Sequence, residues 1–217
     1  MGKTLMIAGT NLGVGKSLLA RSIAAYAHIH HPQKQVATLK LIETGTQTPS
    51  PYAVTHFPAA LVPPLAAAQA EQKLDLGKLW QIYSVQQQQQ DLLLVEGWGG
   101  LGDPITAELT GADLAKDWRL PTVLVVPVGA GAIGQTVAHV ALARDHQIEL
   151  VGIVFNCLQT YRAARLEELC SIDLIQPLVQ VPILGIIPQL LATEDKSKLA
   201  QVASHLNLEI LSPYLFN

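Results

Sequence analysis

The stretch 9–17, GTNLGVGKS, combines the residue types that bind the phosphates of a nucleotide. Its glycines allow the backbone to turn sharply and to direct N–H groups at phosphate oxygens. Lys16 would reach the β- and γ-phosphates, and the Ser17 hydroxyl would ligate Mg²⁺. Gly9 stands one position earlier than the strict Gly-x-x-x-x-Gly-Lys-Ser/Thr pattern requires. The stretch therefore predicts an unusual subtype of phosphate-binding loop rather than an ordinary glycine-rich turn.

A second candidate is the segment 39–45, LKLIETG, in which Lys40 ends a predicted strand. An ammonium group at that edge of the sheet would neutralise a transferring phosphoryl group or hold an anionic acceptor. Taken alone, Lys40 is better explained as a solvent-facing lysine at a strand end. Thr44 and Gly45 follow in a predicted turn, where they would offer a hydroxyl and N–H groups to a substrate.

The third candidate, LLLVEGWGG at 92–100, ends an apolar strand with the carboxylate of Glu96. A carboxylate in that place suits a Mg²⁺ ion bound to nucleotide phosphates. Burial without a cation is costly, so even a purely structural Glu96 would need a partner such as Lys40 or Lys16. Room for a ligand against bare backbone is left by Gly97, Gly99 and Gly100.

Two weaker candidates follow later strands. Asn156 ends the run GIVFN, where its amide would read an adenine edge, although capping of the next turn explains it equally well. The stretch 127–136, PVGAGAIGQT, is a second glycine-rich turn from a strand into a helix. The N-terminus of that helix would receive a carboxylate, although close packing of strand and helix explains the glycines equally well.

The elements that position these residues alternate along the chain. Continuous apolar runs, typical of strands buried on both faces of a parallel sheet, predict strands at 5–8, 36–39, 92–95, 122–126, 150–155 and 183–187. Helical periodicity predicts helices at 17–30, 76–88, 106–118, 134–145, 162–170 and 196–206. The stretch 46–66, rich in proline, threonine and serine, is predicted to be irregular. The alternation predicts a single α/β domain over residues 1–217, doubly wound, with a mostly parallel sheet and helices on both faces.

The composition limits the function classes. Apolar residues make up 49% of the chain and charged residues 14%, which is typical of a compact globular protein. A net charge of −3 without a basic stripe argues against nucleic-acid binding. We see no signal peptide and no apolar run of the roughly 20 residues that cross a membrane. Cys157 and Cys170 have no metal or redox spacing and suit a reducing compartment, so we expect a cytoplasmic protein.

Taken in this order, the motifs resemble those of the dethiobiotin synthetase family, ATP-dependent ligases with a P-loop NTPase fold. That family's Gly-Thr-x-x-x-Val-Gly-Lys-Thr loop matches GTNLGVGKS, displaced glycine included. Its Lys-Pro-Val-x-Ser-Gly stretch is similar to KLIETG, and its Val-Glu-Gly-Ala-Gly-Gly stretch is similar to VEGWGG. The segments GIVFN and GIIPQL occupy the places where the family binds adenine.

The resemblance implies a set of site residues and a reaction. ATP would contact Gly13, Val14, Gly15, Lys16, Ser17, Leu18, Glu96, Gly97, Gly99, Asn156, Pro188, Gln189 and Leu190, with Glu194 or Asp195 near the ribose. Mg²⁺ would be held by Ser17 and Glu96, and Lys16 and Lys40 would be catalytic. The substrate, 7,8-diaminopelargonate, would contact Thr10, Lys40, Thr44, Gly131, Ala132, Ile133 and Gly134. It would be carboxylated by CO₂, phosphorylated by ATP and closed to a ureido ring in a homodimeric enzyme, with the diamine's carboxylate received near the interface.

The sequence departs from the family pattern at several positions. Leu41 replaces the proline after the lysine, Thr44 replaces a serine, and Glu43 stands where a small residue is usual. The family also has an aspartate about a dozen residues later that meets Mg²⁺ and nucleotide, whereas no Asp or Glu occurs between Gly45 and Val62. Water would fill that position, because Mg²⁺ usually keeps several water ligands.

Three alternatives remain open at this point. One is the ATP-using domain of a cobyrinate amide synthase, although such enzymes usually carry a glutaminase domain for which 217 residues leave no room. Another is a nucleotide-dependent switch of the ParA/MinD type, although those proteins have an additional lysine where this sequence has Asn11. The third is a weakly active relative, as the missing aspartate would allow.

Overall fold

The computed structural model describes residues 2–190 and 194–216, and its core is a sheet of seven parallel strands. The strand order is β3-β2-β4-β1-β5-β6-β7. The strands are β1 Lys3–Gly9, β2 Val36–Thr44, β3 Ala53–Phe57, β4 Leu92–Gly100, β5 Thr122–Pro127, β6 Leu150–Asn156 and β7 Ile183–Ile187. The chain starts in the middle of the sheet and winds outward in both directions, which confirms the predicted doubly wound α/β fold.

Helices cover both faces of this sheet. They are α1 Lys16–His30, α2 Pro63–Gln69, α3 Leu76–Gln89, α4 Gly111–Asp117, α5 Ala132–Asp145, α6 Ala163–Cys170, α7 Ile172–Val179, α8 Lys196–Ser204 and α9 Leu208–Leu215. Buried side chains of α1, α8 and α9 pack on one face, and those of α2 to α7 pack on the other. In β1, Leu5 and Ile7 join the first cluster whereas Met6 and Ala8 join the second. This burial on both faces explains why the strand reads as a continuous apolar run.

The prediction of an irregular stretch over 46–66 holds at 46–52 and 58–62 but is wrong at two places. It contains the edge strand β3, and it runs into α2, whose first residue is Pro63. Strand β3 is short and pairs along one side only, with β2, so its sequence lacks the long apolar run of a central strand. Helix α2 begins with two prolines, which suit the first turn of a helix because its N–H groups need no intrahelical partner.

Several other boundaries also differ from the prediction. Helix α4 begins at Gly111 rather than at 106, because Thr110 caps it and forms a capping box with Asp113. Strand β2 runs five residues beyond its predicted end, to Thr44. Helices α7 and α9 were not predicted, and each contains an internal proline. Within the described residues, none of the helices has the length and apolar character that crossing a membrane requires.

The parallel arrangement places the carboxyl ends of β1, β2 and β4 at one edge of the sheet. In the register of the strands, Lys40 of β2 is paired with Glu96 of β4, and Gly9 of β1 is paired with Gly100 of β4. Segments from three distant parts of the chain therefore meet there, and α1 begins directly above them. This edge contains the three strongest sequence candidates.

Candidate active site

The loop between β1 and α1 has the backbone conformation that its glycines predict. Gly13 and Gly15 have φ angles of 70° and 106°, in the left-handed region that favours glycine. A Cβ atom on Gly15 would stand 2.2 Å from Nδ2 of Asn156. Glycine at position 15 is therefore required both by the turn and by the close approach of Asn156.

Lys16, the first residue of α1, lies under this loop. Its Nζ donates to the carbonyl oxygens of Asn11 at 3.0 Å and of Gly99 at 2.9 Å, and only 6% of the residue is exposed. Burial lowers the pKa of Lys16 to about 8, although the nearby charge of Glu96 acts in the opposite direction. The ammonium group is thus held by two neutral carbonyls in a position from which an anion would stabilise its charge.

Ser17 and Glu96 meet beside this lysine. Ser17 Oγ donates a hydrogen bond of 2.6 Å to Glu96 Oε1, and Lys40 Nζ lies 3.7 Å from the same oxygen. A hydroxyl and a carboxylate are hard oxygen donors of the kind that Mg²⁺ prefers, so this pair fits one side of a magnesium site. In the described part of the chain, no group of three or more His, Cys, Asp and Glu residues could hold a metal ion. An ion here would take its remaining ligands from phosphate and water.

Lys40 is part of this site but lies within β2 rather than at its end. Its Nζ forms an ion pair with Glu43 Oε1 at 2.8 Å, and Glu43 Oε2 accepts a hydrogen bond of 2.6 Å from the backbone N–H of Ser50. Burial by itself would lower the pKa of Lys40. The hydrogen bond to Glu43 and the negative charges of Glu43 and Glu96 outweigh this effect, so the pKa of Lys40 is raised. The plainer explanation, a solvent-facing lysine, is wrong.

Trp98 is a site residue that the sequence analysis did not single out. Its indole Nε1 donates to Thr44 Oγ1 at 3.1 Å, and 6% of the residue is exposed. The signal was present in the sequence, since VEGWGG has tryptophan where the family pattern has alanine. Trp98 therefore lines the site beside Thr44 and orients the Thr44 hydroxyl.

A cavity of about 160 Å³ connects these groups. Eight of the predicted residues line it: Gly13, Lys16, Ser17, Lys40, Thr44, Glu96, Gly97 and Gly99. A second cavity of about 300 Å³ shares Ser17, Lys40 and Glu96 with it and extends toward Tyr52. Two ammonium groups, the hydroxyls of Ser17 and Thr44 and the carboxylates of Glu43 and Glu96 thus share one polar space, in which the ammonium groups would stabilise a phosphoryl group and an anionic acceptor.

Asn156 lies on the other side of the loop. Its Nδ2 donates to the carbonyl oxygen of Val14 at 2.9 Å, across 142 positions of the chain. The amide therefore anchors the phosphate loop rather than capping the following turn. Its Oδ1 is buried and has no hydrogen-bond partner among the described residues, so it remains available as an acceptor.

The predicted adenine segment follows β7, next to the end of β6. Gln189 accepts a hydrogen bond from Thr160 Oγ1 at 2.8 Å, and Pro188 and Leu190 flank it along the chain. Of the two acidic residues expected near the ribose, Asp195 caps α8 through the N–H groups of Ser197 and Lys198. Glu194 instead forms an ion pair of 3.0 Å with Arg21.

The turn after β5 is also separate from the 160 Å³ cavity. Helix α5 begins at Ala132, followed by Ile133, and Gly131 has a φ angle of 84°. A Cβ atom on Gly129, Gly131 or Gly134 would meet nothing within 4 Å, so close packing does not explain these glycines.

Thr10 is the second residue of the loop 9–17 and lies next to the end of β5. Its N–H donates to the carbonyl oxygen of Val125 at 3.1 Å, next to the end of β5. Its Oγ1 is buried without a hydrogen-bond partner in the described ranges. This hydroxyl is therefore a buried hydrogen-bonding group that the described residues leave without a partner.

Comparison with known proteins identifies the family. A family model described as an AAA domain matches residues 3–197. The ATP-dependent dethiobiotin synthetase of Gloeothece citriformis is 43% identical over 96% of this chain and 98% of its own length. The synthetase of Crocosphaera subtropica is 42% identical over 96% of this chain and 99% of its own length. The chain belongs to the dethiobiotin synthetase family.

Membership of the dethiobiotin synthetase family confirms two predictions. The first is the resemblance itself, and the second is the enzyme class, an ATP-dependent ligase that forms carbon–nitrogen bonds. The matches to these two synthetases each cover 96% of the chain.

Solved structures show how widely this fold is shared. A ParA family ATPase from Chlorobium tepidum has a TM-score of 0.60 at 14% identity and covers 97% of this chain and 96% of its own. MinD from Aquifex aeolicus has a TM-score of 0.58 at 15% identity, with coverage of 97% and 98%. These similarities confirm the predicted P-loop fold and show the fold alone, whereas sequence identity separates the dethiobiotin synthetase family from the partitioning ATPases.

Proposed function

We propose that this enzyme is an ATP-dependent dethiobiotin synthetase that closes the ureido ring of dethiobiotin. An amine of 7,8-diaminopelargonate adds to CO₂ and loses a proton, which leaves a carbamate. A carbamate oxygen attacks the γ-phosphorus of ATP and displaces ADP. The second amine then attacks the carbamate carbon, and phosphate leaves as the ring closes. Family membership supports this substrate, and the paired lysines of the site support phosphoryl transfer.

In this proposal the nucleotide lies along the loop 9–17 and the start of α1. Lys16 exchanges its bonds to the carbonyls of Asn11 and Gly99 for bonds to phosphate oxygens, a charged acceptor that favours its protonated form. The backbone from Gly13 to Leu18 adds N–H groups and the positive end of the α1 dipole. The adenine lies against Asn156 Oδ1 and the segment 188–190.

Mg²⁺ is the cofactor that we propose, held by Ser17 Oγ and Glu96 on the protein side. When bound, it would neutralise part of the triphosphate charge. The 2.6 Å contact between these two side chains supports the assignment, because it shows that both oxygens reach one point. Among the described residues, no cluster of three or more His, Cys, Asp or Glu side chains surrounds this pair, so phosphate and water oxygens would complete the shell.

Lys40 is the residue to which we assign stabilisation of the carbamate and of its phosphorylated form. Its ammonium group lines the same cavity as Lys16 and Ser17, and the adjacent carboxylates keep it charged. Thr44 is oriented to contact the substrate, since Trp98 occupies one lone pair of its hydroxyl and leaves the proton for an acceptor. The single observation that carries the proposal is this convergence of Lys16, Lys40 and the Ser17–Glu96 pair on one cavity.

The remaining assignments concern the far end of the substrate and the assembly. We infer that the diamine's carboxylate is received at the start of α5, where Gly131 and Gly134 leave open space, with Thr10 between the two parts of the site. This turn does not line the cavity around Lys40, which supports a site completed by a second copy of the chain in a homodimer. The proposed partners are small molecules and that second copy, with neither nucleic acid nor membrane involved, and the proposed location is the cytoplasm.

The test is turnover with defined substrates. Purified protein with 7,8-diaminopelargonate, bicarbonate, Mg²⁺ and ATP should release phosphate and form dethiobiotin in equal amounts, measured by a phosphate assay and mass spectrometry. Omission of the diamine is the control and should abolish both products. ATP binding without diamine-dependent phosphate release would overturn the proposal and favour a nucleotide switch or an inactive relative.

A further inference from the structure

Glu43 is a carboxylate inside the site to which the proposed reaction assigns no role. Its side chain is 14% exposed, and both of its oxygens are engaged. Oε1 contacts Lys40 Nζ at 2.8 Å, and Oε2 accepts the N–H of Ser50 at 2.6 Å. Glu43 thus connects the catalytic lysine directly to the backbone of the segment that precedes β3.

That segment is itself fixed at several points. The backbone N–H of Lys40 donates to the carbonyl oxygen of Tyr52 at 2.9 Å, and the side chain of His56 contacts the carbonyl oxygen of Thr46 at 2.5 Å. The Ser50 Oγ accepts a further bond from the N–H of Tyr52 at 3.3 Å. The Ser50 N–H therefore belongs to an ordered turn, and it can hold the Glu43 carboxylate in one orientation.

The second anion near Lys40 is shared with other groups. Glu96 Oε1 lies 3.7 Å from Lys40 Nζ, which is longer than the contact with Glu43, and it already accepts the Ser17 hydroxyl at 2.6 Å. If the proposed function is correct, Glu96 and Ser17 would ligate the Mg²⁺ ion that accompanies the nucleotide. Glu43 is then the remaining carboxylate that holds the lysine.

We propose that Glu43 is a positioning residue, which holds the Lys40 ammonium group at the reacting phosphoryl group while Glu96 is engaged with the metal. This inference rests on the proposed function. A lysine side chain has four rotatable bonds and loses much conformational entropy when it is fixed. An ion pair that already holds Lys40 therefore reduces the entropic cost of placing its ammonium group at the phosphoryl group. This role would explain why the chain has glutamate at position 43, where the family usually has a small residue.

The competing hypothesis, that Glu43 slows the reaction, is also testable. An added negative charge near an anionic carbamate would slow the reaction by repulsion, and its removal would then raise kcat. The Lys40 and Ser50 contacts argue against that outcome, because they compensate the carboxylate on both oxygens.

The experiment compares Glu43→Gln and Glu43→Asp in steady-state kinetics. Glu43→Gln should lower kcat about tenfold with the KM for ATP unchanged, whereas Glu43→Asp, which retains the charge, should lose less. In a Lys40→Ala background Glu43→Gln should have no further effect, since Glu43 acts through that lysine. The matched control is Glu168→Gln, which removes a carboxylate from another i,i+3 ion pair, with Arg165 on the surface, and should leave kcat unchanged.

A crystal structure with Mg²⁺ and a non-hydrolysable ATP analogue separates this inference from the proposed function. Lys40 Nζ should remain within hydrogen-bond distance of Glu43 in that complex. A kcat for Glu43→Gln equal to or above that of the parent, or a Lys40 that has left Glu43 in the complex, would overturn the inference. If the parent makes no dethiobiotin, the proposed function fails, and the crystal structure still decides whether Glu43 positions Lys40.

Discussion

Trp98 of β4 donates a hydrogen bond from its indole Nε1 to Thr44 Oγ1 of β2 across 3.1 Å. An indole N–H only donates, so the hydroxyl of Thr44 must accept this bond. The hydroxyl proton of Thr44 is consequently left for an acceptor atom on a ligand. Two neighbouring strands thus set the direction in which a site hydroxyl can act.

The first prediction concerns this pair. Trp98→Phe keeps an aromatic ring but removes the donor, so Thr44 can rotate and lose its bond to the substrate. One hydrogen bond contributes about 1 kcal/mol, or roughly fivefold, so the KM for the diamine should rise by about that factor while ATP affinity stays unchanged. Steady-state kinetics with varied diamine measure it.

The control for this change is Trp80→Phe, which alters a half-exposed tryptophan on α3 outside the site and should leave the KM unchanged. Thr44→Val should raise the KM in the same way, and adding Trp98→Phe to it should have no further effect. Additive effects of the two changes would show that Trp98 does not act through Thr44.

The second prediction separates the two lysines of the cavity. Lys16→Ala should abolish nucleotide binding, since Lys16 lies beneath the phosphate loop, whereas Lys40→Ala should spare binding and reduce turnover by at least about a hundredfold. Isothermal titration calorimetry with ATP and a phosphate-release assay measure the two effects. Lys34→Ala, at an exposed lysine, should change neither quantity.

Because Lys16 is buried, Lys16→Met serves as a second variant that retains more of the side-chain volume. Thermal unfolding of both variants tests whether they fold. Normal turnover by Lys40→Ala would refute the role assigned to Lys40, and ATP binding by folded Lys16→Met would refute the role assigned to Lys16.

The third prediction concerns the metal. Glu96→Gln preserves the shape of the buried side chain but weakens its attraction for a divalent cation, so the Mg²⁺ concentration for half-maximal activity should rise about tenfold. Ser17→Ala should shift it in the same direction, and EDTA should abolish activity in the parent. A Mg²⁺ titration curve that Glu96→Gln leaves unchanged would place the metal elsewhere.

The fourth prediction concerns pH and stability at the start of α4. Hydrogen bonds from the side chain and backbone of Thr110 hold the pKa of Asp113 below its usual 3.8. A carboxyl whose pKa is lowered by folding stabilises the folded state above its unfolded pKa, and that contribution is lost as the pH falls through the folded pKa. Asp113→Asn should therefore reduce the free energy of unfolding by up to about 1 kcal/mol at pH 7, and by less below pH 3.8.

Urea unfolding at pH 7 and at pH 3 measures this difference. Asp117→Asn, at the other end of the same helix, is the comparison and should show a smaller effect at pH 7. An Asp113→Asn difference that stays the same at both pH values would mean that its charge contributes nothing.

Local sequence was sufficient to predict much of the fold and the main polar side chains of the candidate site, which are Lys16, Ser17, Lys40 and Glu96. Apolar runs located six of the seven strands, because a strand buried on both faces has apolar residues at every position. Strand β3 was missed because an edge strand of five residues is defined by its partner β2 rather than by its own pattern. The start of α4 was misplaced because the Thr110 cap, and not the periodicity, sets that boundary.

The sequence of this protein determined its phosphate-loop chemistry, its ligase family and its doubly wound fold, because those depend on spacing and on apolar patterns along the chain. Only the tertiary structure decided how the distant groups combine. It joined Lys40 to Glu43 and Ser50, gave the Thr44 hydroxyl its donor in Trp98, and assigned the Asn156 amide to the loop rather than to a cap. The Trp98–Thr44 contact joins two neighbouring strands and the Asn156–Val14 contact joins a strand end to the phosphate loop, across 54 and 142 positions of the chain, so no local pattern in the sequence specifies them. The contacts of Glu43 with Lys40 and Ser50 are close in the chain, but they depend on how the chain folds back after β2.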